Sequence, residues 1–260
     1  MNRRDFTAGL AFAGAVPWLD SLMGRARWSR PLPPGAPQSM AMIMYPGMFP
    51  LDLIGPHAVL GGHFPIHLVW KTRQPFEALG ITFTPSMTFA ECPEVDMLFV
   101  PGGTTGTIAA MEDEECLAFL ETRAKTAQFL TSVCTGSLVL GAAGLLKGRR
   151  ATSHWAVRDT ILPIVGATPV AERVVVDGTL VTGAGVSAGI DFGLALAASI
   201  AGEEMAKIMQ LNIEYDPDPP FDAGTPAKAG SAVTDQLRGY YTPFLKEVER
   251  AARLARRARS

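Results

Sequence analysis

From Met40 onward, short apolar runs that end at proline or glycine alternate with stretches whose apolar residues recur at helical spacing. Met40-Ala-Met-Ile-Met-Tyr45 stops at Pro46-Gly47 and reads as a buried strand; residues 51–60 then carry a helical pattern closed by Gly61-Gly62. Ile66-His-Leu-Val-Trp70 is the next strand, and residues 81–84 and 87–89, flanking Pro85-Ser86, predict a small antiparallel excursion. Asp96-Met-Leu-Phe-Val100 is a strand ending at Pro101-Gly102-Gly103, and residues 112–125 predict a helix, acidic at its start and basic at its end as the helix dipole favours. Residues 128–133 predict a strand and 136–146 a helix; residues 173–181, centred on Asp177-Gly178, carry a hairpin signal; 187–200 and 203–215 predict the last core helices. Strands alternating with helices build parallel βαβ units, so the expected class is α/β, a mostly parallel sheet with helices on both faces.

Composition supports a globular chain. It has 260 residues, 48% hydrophobic and 18% charged, enough for one full core with appendages. A formal net charge of -2 gives no global attraction to nucleic acid or an anionic membrane, so neither is expected as a partner. Cys92, Cys116 and Cys134 form no C-x-x-C pair and no disulfide framework. Residues 1–24, with Arg3-Arg4 ahead of an Ala/Gly-rich apolar stretch, resemble a twin-arginine export signal, which implies a periplasmic location, the alternative being cytoplasmic. That apolar stretch is too short to span a bilayer. Residues 25–39 hold Pro31, Pro33, Pro34 and Pro37 and read as a linker. The stretch 225–260 predicts an amphipathic helix with Leu237, Tyr241, Phe244, Val248 and Ala251 on one stripe. Packing of that stripe on the chain's own core is the expectation, a partner helix the alternative. The arginines from Arg250 to Arg259 are expected to be solvated.

In parallel sheets ligands bind beyond the carboxyl ends of the strands, which singles out the loops at 46–52, 101–106 and 134–136. Cys134 lies in the last of these, where a strand hands over to a helix, and Gly136 and Ser137 are small enough for a sharp turn. That placement favours a nucleophile over an inert buried thiol, and the following helix's amides would favour thiolate. Asp52 opens a helix near the end of the first strand. It is either an N-cap or a proton-relaying partner of Cys134, and only a protonated carboxyl would favour the thiolate. His154 opens a further helix and reads first as a cap or a supporting group, then as a catalytic one. His57, His63 and His67 do not share a helix face, so no metal site is expected. Neither a dinucleotide fingerprint nor Walker spacing is present.

Taken together, Leu51-Asp-Leu-Ile-Gly-Pro-His57, Pro101-Gly-Gly103, the block from Thr131 through Cys134 to Leu146, Arg150-Ala-Thr-Ser-His-Trp155 and Gly189-Ile-Asp-Phe192 resemble the DJ-1/PfpI superfamily, and within it the isonitrile hydratase branch. The resemblance spans residues 40–224, ending in Glu214-Tyr-Asp-Pro-Asp-Pro-Pro-Phe-Asp-Ala-Gly224. It implies a flavodoxin-like three-layer sandwich, usually a homodimer, with Cys134 as nucleophile on an elbow and Asp52 as its acidic partner. It also implies that Gly103 supplies a backbone amide near the sulfur, with Gly103 and His154 beside a small-molecule substrate. Thr135 stands where protease-like and glyoxalase-like branches carry histidine, and is given a positioning role. The implied reaction is cofactor-independent hydration of isonitriles to N-substituted formamides. The rivals are a ligand-sensing domain of the kind found in AraC-type regulators, for which the stretch after 224 is short, and a protective relative acting on reactive carbonyls or oxidants.

Overall fold

The computed structural model describes residues 35–259. The expected export signal, and the linker as far as residue 34, lie outside the described residues. The last residues of that expected linker already belong to the fold: the amides of Gln38 and Ser39 both donate to Asp96 Oδ2, at 2.9 and 3.1 Å.

Four strands form the heart of one sheet: β1 (Met40–Ile43), β2 (Ile66–Trp70), β6 (Met97–Val100) and β7 (Phe129–Val133). β1 pairs in parallel with both β2 and β6, and β6 in parallel with β7. Every residue of β1 and β6 is buried, which explains why these strands read as unbroken apolar runs: both sheet faces are covered. Beyond β7 comes β11 (Leu180–Gly183), parallel to it, and then β10 (Val174–Asp177), which returns antiparallel as the expected hairpin around Gly178 at φ +62°. At the other edge β5 (Met87–Thr88) lies parallel to β2, giving the order β10-β11-β7-β6-β1-β2-β5, while β8 (Arg150–Ala151) and β9 (Thr168–Pro169) form a separate parallel pair.

That edge departs from the expected excursion. Residues 81–84 do not pair with 87–89. Instead β4 (Ile81–Phe83) pairs with β3 (Phe76–Ala78), because Leu79 and Gly80, at φ +48° and +77°, make the left-handed turn that a two-residue hairpin needs. Phe76 and Phe83 stack across the pair with centroids 6.1 Å apart.

Two helix layers cover the sheet. On one face lie α1 (Pro50–Leu60), α6 (Ala188–Ala201) and α7 (Glu203–Asn212), packed on one another. The other face carries α2 (Thr105–Glu112), α3 (Glu114–Arg123), α4 (Gly136–Ala142), the short α5 (Trp155–Arg158) and the long α8 (Pro226–Ala258), whose first turn is set off by a kink at Gly230, at φ +77°. The helix expected over 112–125 forms as α3; Glu112 ends the separate α2, and the break between the two falls at Asp113. This residue is extended and caps α3 by accepting the Cys116 amide at 3.0 Å. α2 is not foreseen from the sequence, since it opens on Thr105-Gly-Thr107, poor helix formers, and shows no clear apolar stripe. The helix expected over 136–146 closes at Ala142, ahead of Gly144 at φ +75°.

α8 packs against its own sandwich, across α2, α4 and α5, and buries Val248, Ala251, Ala252 and Ala255. Its terminal arginines are exposed, as expected, and two of them also pair, Arg250 with Glu112 at 2.8 Å and Arg259 with Glu121, linking the helix end to α2 and α3. Exposed pairs of this kind add little stability; the buried alanine and valine face holds the helix. No helix among the described residues is long and apolar enough to cross a membrane.

Candidate active site

The three loops singled out from the sequence meet at the carboxyl ends of β1, β6 and β7. Met48 bridges to Gly103, and the Phe49 amide donates to the Gly102 carbonyl at 2.8 Å. The third loop carries Cys134, whose φ of +58° puts a side-chain-bearing residue in the left-handed region. Such backbone costs about 1–3 kcal/mol and persists only when its surroundings hold it. Here the Cys134 amide donates to the carbonyls of Gly183 (3.1 Å) and Ala184 (2.7 Å), and its carbonyl accepts from the hydroxyls of Ser137 (3.2 Å) and Ser153 (2.9 Å). Gly136 follows because a Cβ there would stand 2.2 Å from the Val100 carbonyl oxygen. The result is the expected elbow, with its sulfur-bearing residue clamped from four sides.

Asp52 is fully buried in the first turn of α1. It is not the N-cap; that position is Phe49. Asp52 Oδ2 accepts the Gly102 amide at 3.0 Å, while the buried Oδ1 has no hydrogen-bond partner among the described residues; the Cys134 thiol is near enough to act on the carboxyl's proton affinity. A Cβ on Gly102 would stand 2.7 Å from both Asp52 Oδ2 and Cys134 Cβ and 2.6 Å from the Thr135 amide nitrogen. These three atoms therefore converge on the one point where the chain has no side chain.

Burial controls the proton chemistry of the pair. It pushes the Asp52 carboxyl up to about 7, against the pull of its bonds to the Cys134 thiol and the Gly102 amide. It also pushes the Cys134 thiol well above its ordinary value, and a charge on Asp52 pushes the same way; the amide and hydroxyl of Thr135 pull weakly against both. The pull towards thiolate expected from α4's first amides is present in that of Thr135, but desolvation outweighs it. Near neutral pH the site holds a neutral thiol beside a carboxyl poised to give or take a proton, and the two titrate as a unit.

Thr135 is buried, and its Oγ1 accepts the Gly103 amide at 2.8 Å while lying 2.8 Å from both the Gly103 carbonyl and Thr107 Oγ1. Behind it, Thr107 Oγ1 is 3.3 Å from the Tyr45 hydroxyl, which donates to the Pro101 carbonyl at 2.5 Å. This corrects the part expected of Gly103: its amide is taken by Thr135, and the amide that approaches the sulfur is that of Thr135. His154 serves as the cap of α5, its Nδ1 accepting the Ala156 amide at 3.3 Å, so the ring proton sits on Nε2. Burial lowers its pKa to about 4, so the ring is neutral near pH 7.

A narrow cavity of about 60 Å³ lies over Cys134 and is bordered by Gly103, Thr135 and His154. Two further lining residues, Tyr241 and Phe244, come from α8. They belong to the stripe noted in the sequence, but spacing along a helix says which face is apolar and not what lies beneath it. A larger groove of about 680 Å³ between α3 and α8 contains none of these residues. Cys92 and Cys116 are buried elsewhere with thiols raised by burial, Cys116 to about 12. Among the described residues no group of three His, Cys, Asp or Glu is placed to hold a metal ion.

A parallel sheet between two helix layers, with a strained cysteine at the end of a central strand and a buried carboxyl beside it, defines a class of cysteine-elbow α/β proteins. The chain belongs to the DJ-1/PfpI family, which it matches over residues 38–199. It is 49% identical over 210 residues to the isonitrile hydratase of Pseudomonas putida, covering 80% of this chain and 91% of that one. Among solved structures, a THiJ/PfpI family protein from Pseudomonas syringae superimposes with a TM-score of 0.82 at 43% identity, covering 93% of this chain and 98% of that one. Drosophila melanogaster DJ-1beta, 19% identical, superimposes with a TM-score of 0.63 over 69% of this chain and 99% of that one, a likeness of fold alone.

Proposed function

We propose that the protein hydrates isonitriles, R–N≡C, to N-substituted formamides, with Cys134 as nucleophile and Asp52 as proton carrier. The observation that carries this reading is the buried carboxyl–thiol pair at the foot of a narrow cavity. The terminal isonitrile carbon accepts a nucleophile and then needs a proton, and one carboxyl beside one thiol supplies both. Asp52 takes the thiol proton, the sulfur adds to the carbon, and the carboxylic acid returns the proton to that carbon, giving R–N=CH–S–Cys134. Water then adds to the same carbon as Asp52 carries its proton to nitrogen. Collapse of R–NH–CH(OH)–S–Cys134 releases R–NH–CHO and restores the proton to the pair. Thr135 holds the Gly103 loop and its own amide against the reacting centre, and the neutral His154 borders it. The 49% identity to an isonitrile hydratase over nine-tenths of that protein's length supports the same reading.

The test is direct. The full chain mixed with a small alkyl isonitrile is expected to remove the isonitrile infrared stretch and to produce one formamide per molecule consumed. A varied panel of isonitriles left unchanged would sink the proposal.

We also propose that the protein works as a homodimer joined through the sandwich. Leu51 and Ile54 on α1 and Ile208 and Leu211 on the adjacent α7 are exposed, Leu211 at 81%, and large apolar side chains grouped on neighbouring helices suit an interface. Light scattering at micromolar concentration should report twice the chain mass; a monomer there contradicts this.

A further inference from the structure

We propose that Tyr241 and Phe244, on the long C-terminal helix, set which substituent the substrate can carry, restricting the site to small, uncharged isonitriles. This rests on the hydratase reading for its chemistry, but not for its geometry.

The cavity over Cys134 is small. At about 60 Å³ it is well below the roughly 300–1,000 Å³ of pockets that enclose drug-sized ligands. The linear N≡C head and a small substituent fit such a space. The reacting groups, Cys134 and Thr135, border the cavity together with Phe49, Val186, Tyr241 and Phe244, and none of its lining side chains is an acid, a lysine or an arginine. Tyr241 lies near enough to feel the charge of Cys134, and its ring meets the His154 ring edge-on at 5.6 Å. It also packs edge-on against Trp155 and Phe244, so the wall is an aromatic cluster braced on α5. Its rigidity has a second source: one helical turn beyond Phe244, Val248 is fully buried, followed by Ala251 and Ala252. A substituent larger than the cavity must therefore displace rings that the buried end of the helix holds in place.

Two readouts test the wall separately from the reaction. In the first, kcat/KM is measured for ethyl, isopropyl, cyclohexyl and 2-naphthyl isonitriles. The wild type is expected to prefer ethyl over 2-naphthyl by at least about 100-fold, the size of discrimination a packed apolar pocket reaches for a few carbons. Phe244→Ala and Tyr241→Ala should shrink that ratio about tenfold each, with the milder Phe244→Leu between them and the wild type, and the exposed neighbour Tyr240→Ala should leave it unchanged. The second readout uses no isonitrile. The rate of Cys134 alkylation, followed by peptide mass at alkaline pH, is compared for iodoacetamide and N-pyrenylmaleimide; the two alanine variants should raise the maleimide rate about tenfold relative to iodoacetamide. If no isonitrile is hydrated yet the alkylation ratio shifts as stated, the hydratase reading fails and the wall stands. If folded variants leave both ratios at wild-type values, the wall is refuted whether or not isonitriles are substrates.

Discussion

Replacing Cys134 with alanine is expected to lower isonitrile turnover by at least about 10⁴-fold, the scale on which removal of a catalytic nucleophile acts. No other group can stand in. Asp52 has no sulfur to form the thioimidate, and Cys92 and Cys116 are buried elsewhere with thiols raised by burial. The substitution should leave the fold intact. Alanine meets the same left-handed strain at φ +58° as cysteine does, and the backbone bonds from Gly183, Ala184, Ser137 and Ser153 do not involve the sulfur. An unchanged thermal midpoint with lost activity therefore reads out chemistry. Activity that survives in Cys134→Ala would overturn the elbow argument itself.

Asp52→Asn is expected to lose activity and to gain stability. The loss should be about 10²–10⁴-fold, the range for a general acid–base group, because the amide keeps the shape and the bond from Gly102 but moves no proton. The gain follows from linkage. The carboxyl is near 3.8 in the unfolded chain and about 7 when folded, so the native state holds the proton more tightly. That contribution is fully present below about pH 4 and is lost as pH rises through 7, by an amount on the order of 4 kcal/mol at most. Asparagine has no such loss, so the melting temperatures of wild type and variant should diverge by several degrees between pH 5 and pH 8, with the variant above. The same proton governs rate. The working pair carries one proton, so wild-type kcat/KM should rise with pH through about 7 instead of about 4. Parallel melting curves across that range, or a rise near pH 4, would mean that Asp52 is not the buried, proton-holding partner described here.

The sheet was legible because doubly covered parallel strands leave unbroken apolar runs. Met40–Ile43 and Met97–Val100 are buried at every position, and the proline and glycine residues that end them mark the loops where the site forms. Cys134 and Asp52 were legible from their places at strand ends. What could not be read depends on groups distant in sequence. The partner of Ile81–Phe83 was decided by two positive φ angles at Leu79 and Gly80, and leucine gives no warning of one. Gly103's amide was lost to Thr135, a choice made by a hydroxyl network running back through Thr107 to Tyr45. The thiol's proton affinity was not legible either, because the turn displays a helix end locally, whereas the burial that outweighs it comes from the whole fold. For Tyr241 and Phe244 the stripe was visible, but the cavity beneath them was not.

The central claim is that an isonitrile becomes covalently attached to Cys134 on its way to formamide. Native mass spectrometry of the full chain, recorded at neutral pH during turnover of a small alkyl isonitrile, tests it most directly. The account predicts a transient mass increase equal to one whole isonitrile molecule, located on the peptide that contains Cys134, decaying as formamide accumulates and absent from Cys134→Ala. Formamide produced at the wild-type rate with no adduct at any time, or with the same adduct in Cys134→Ala, would contradict it.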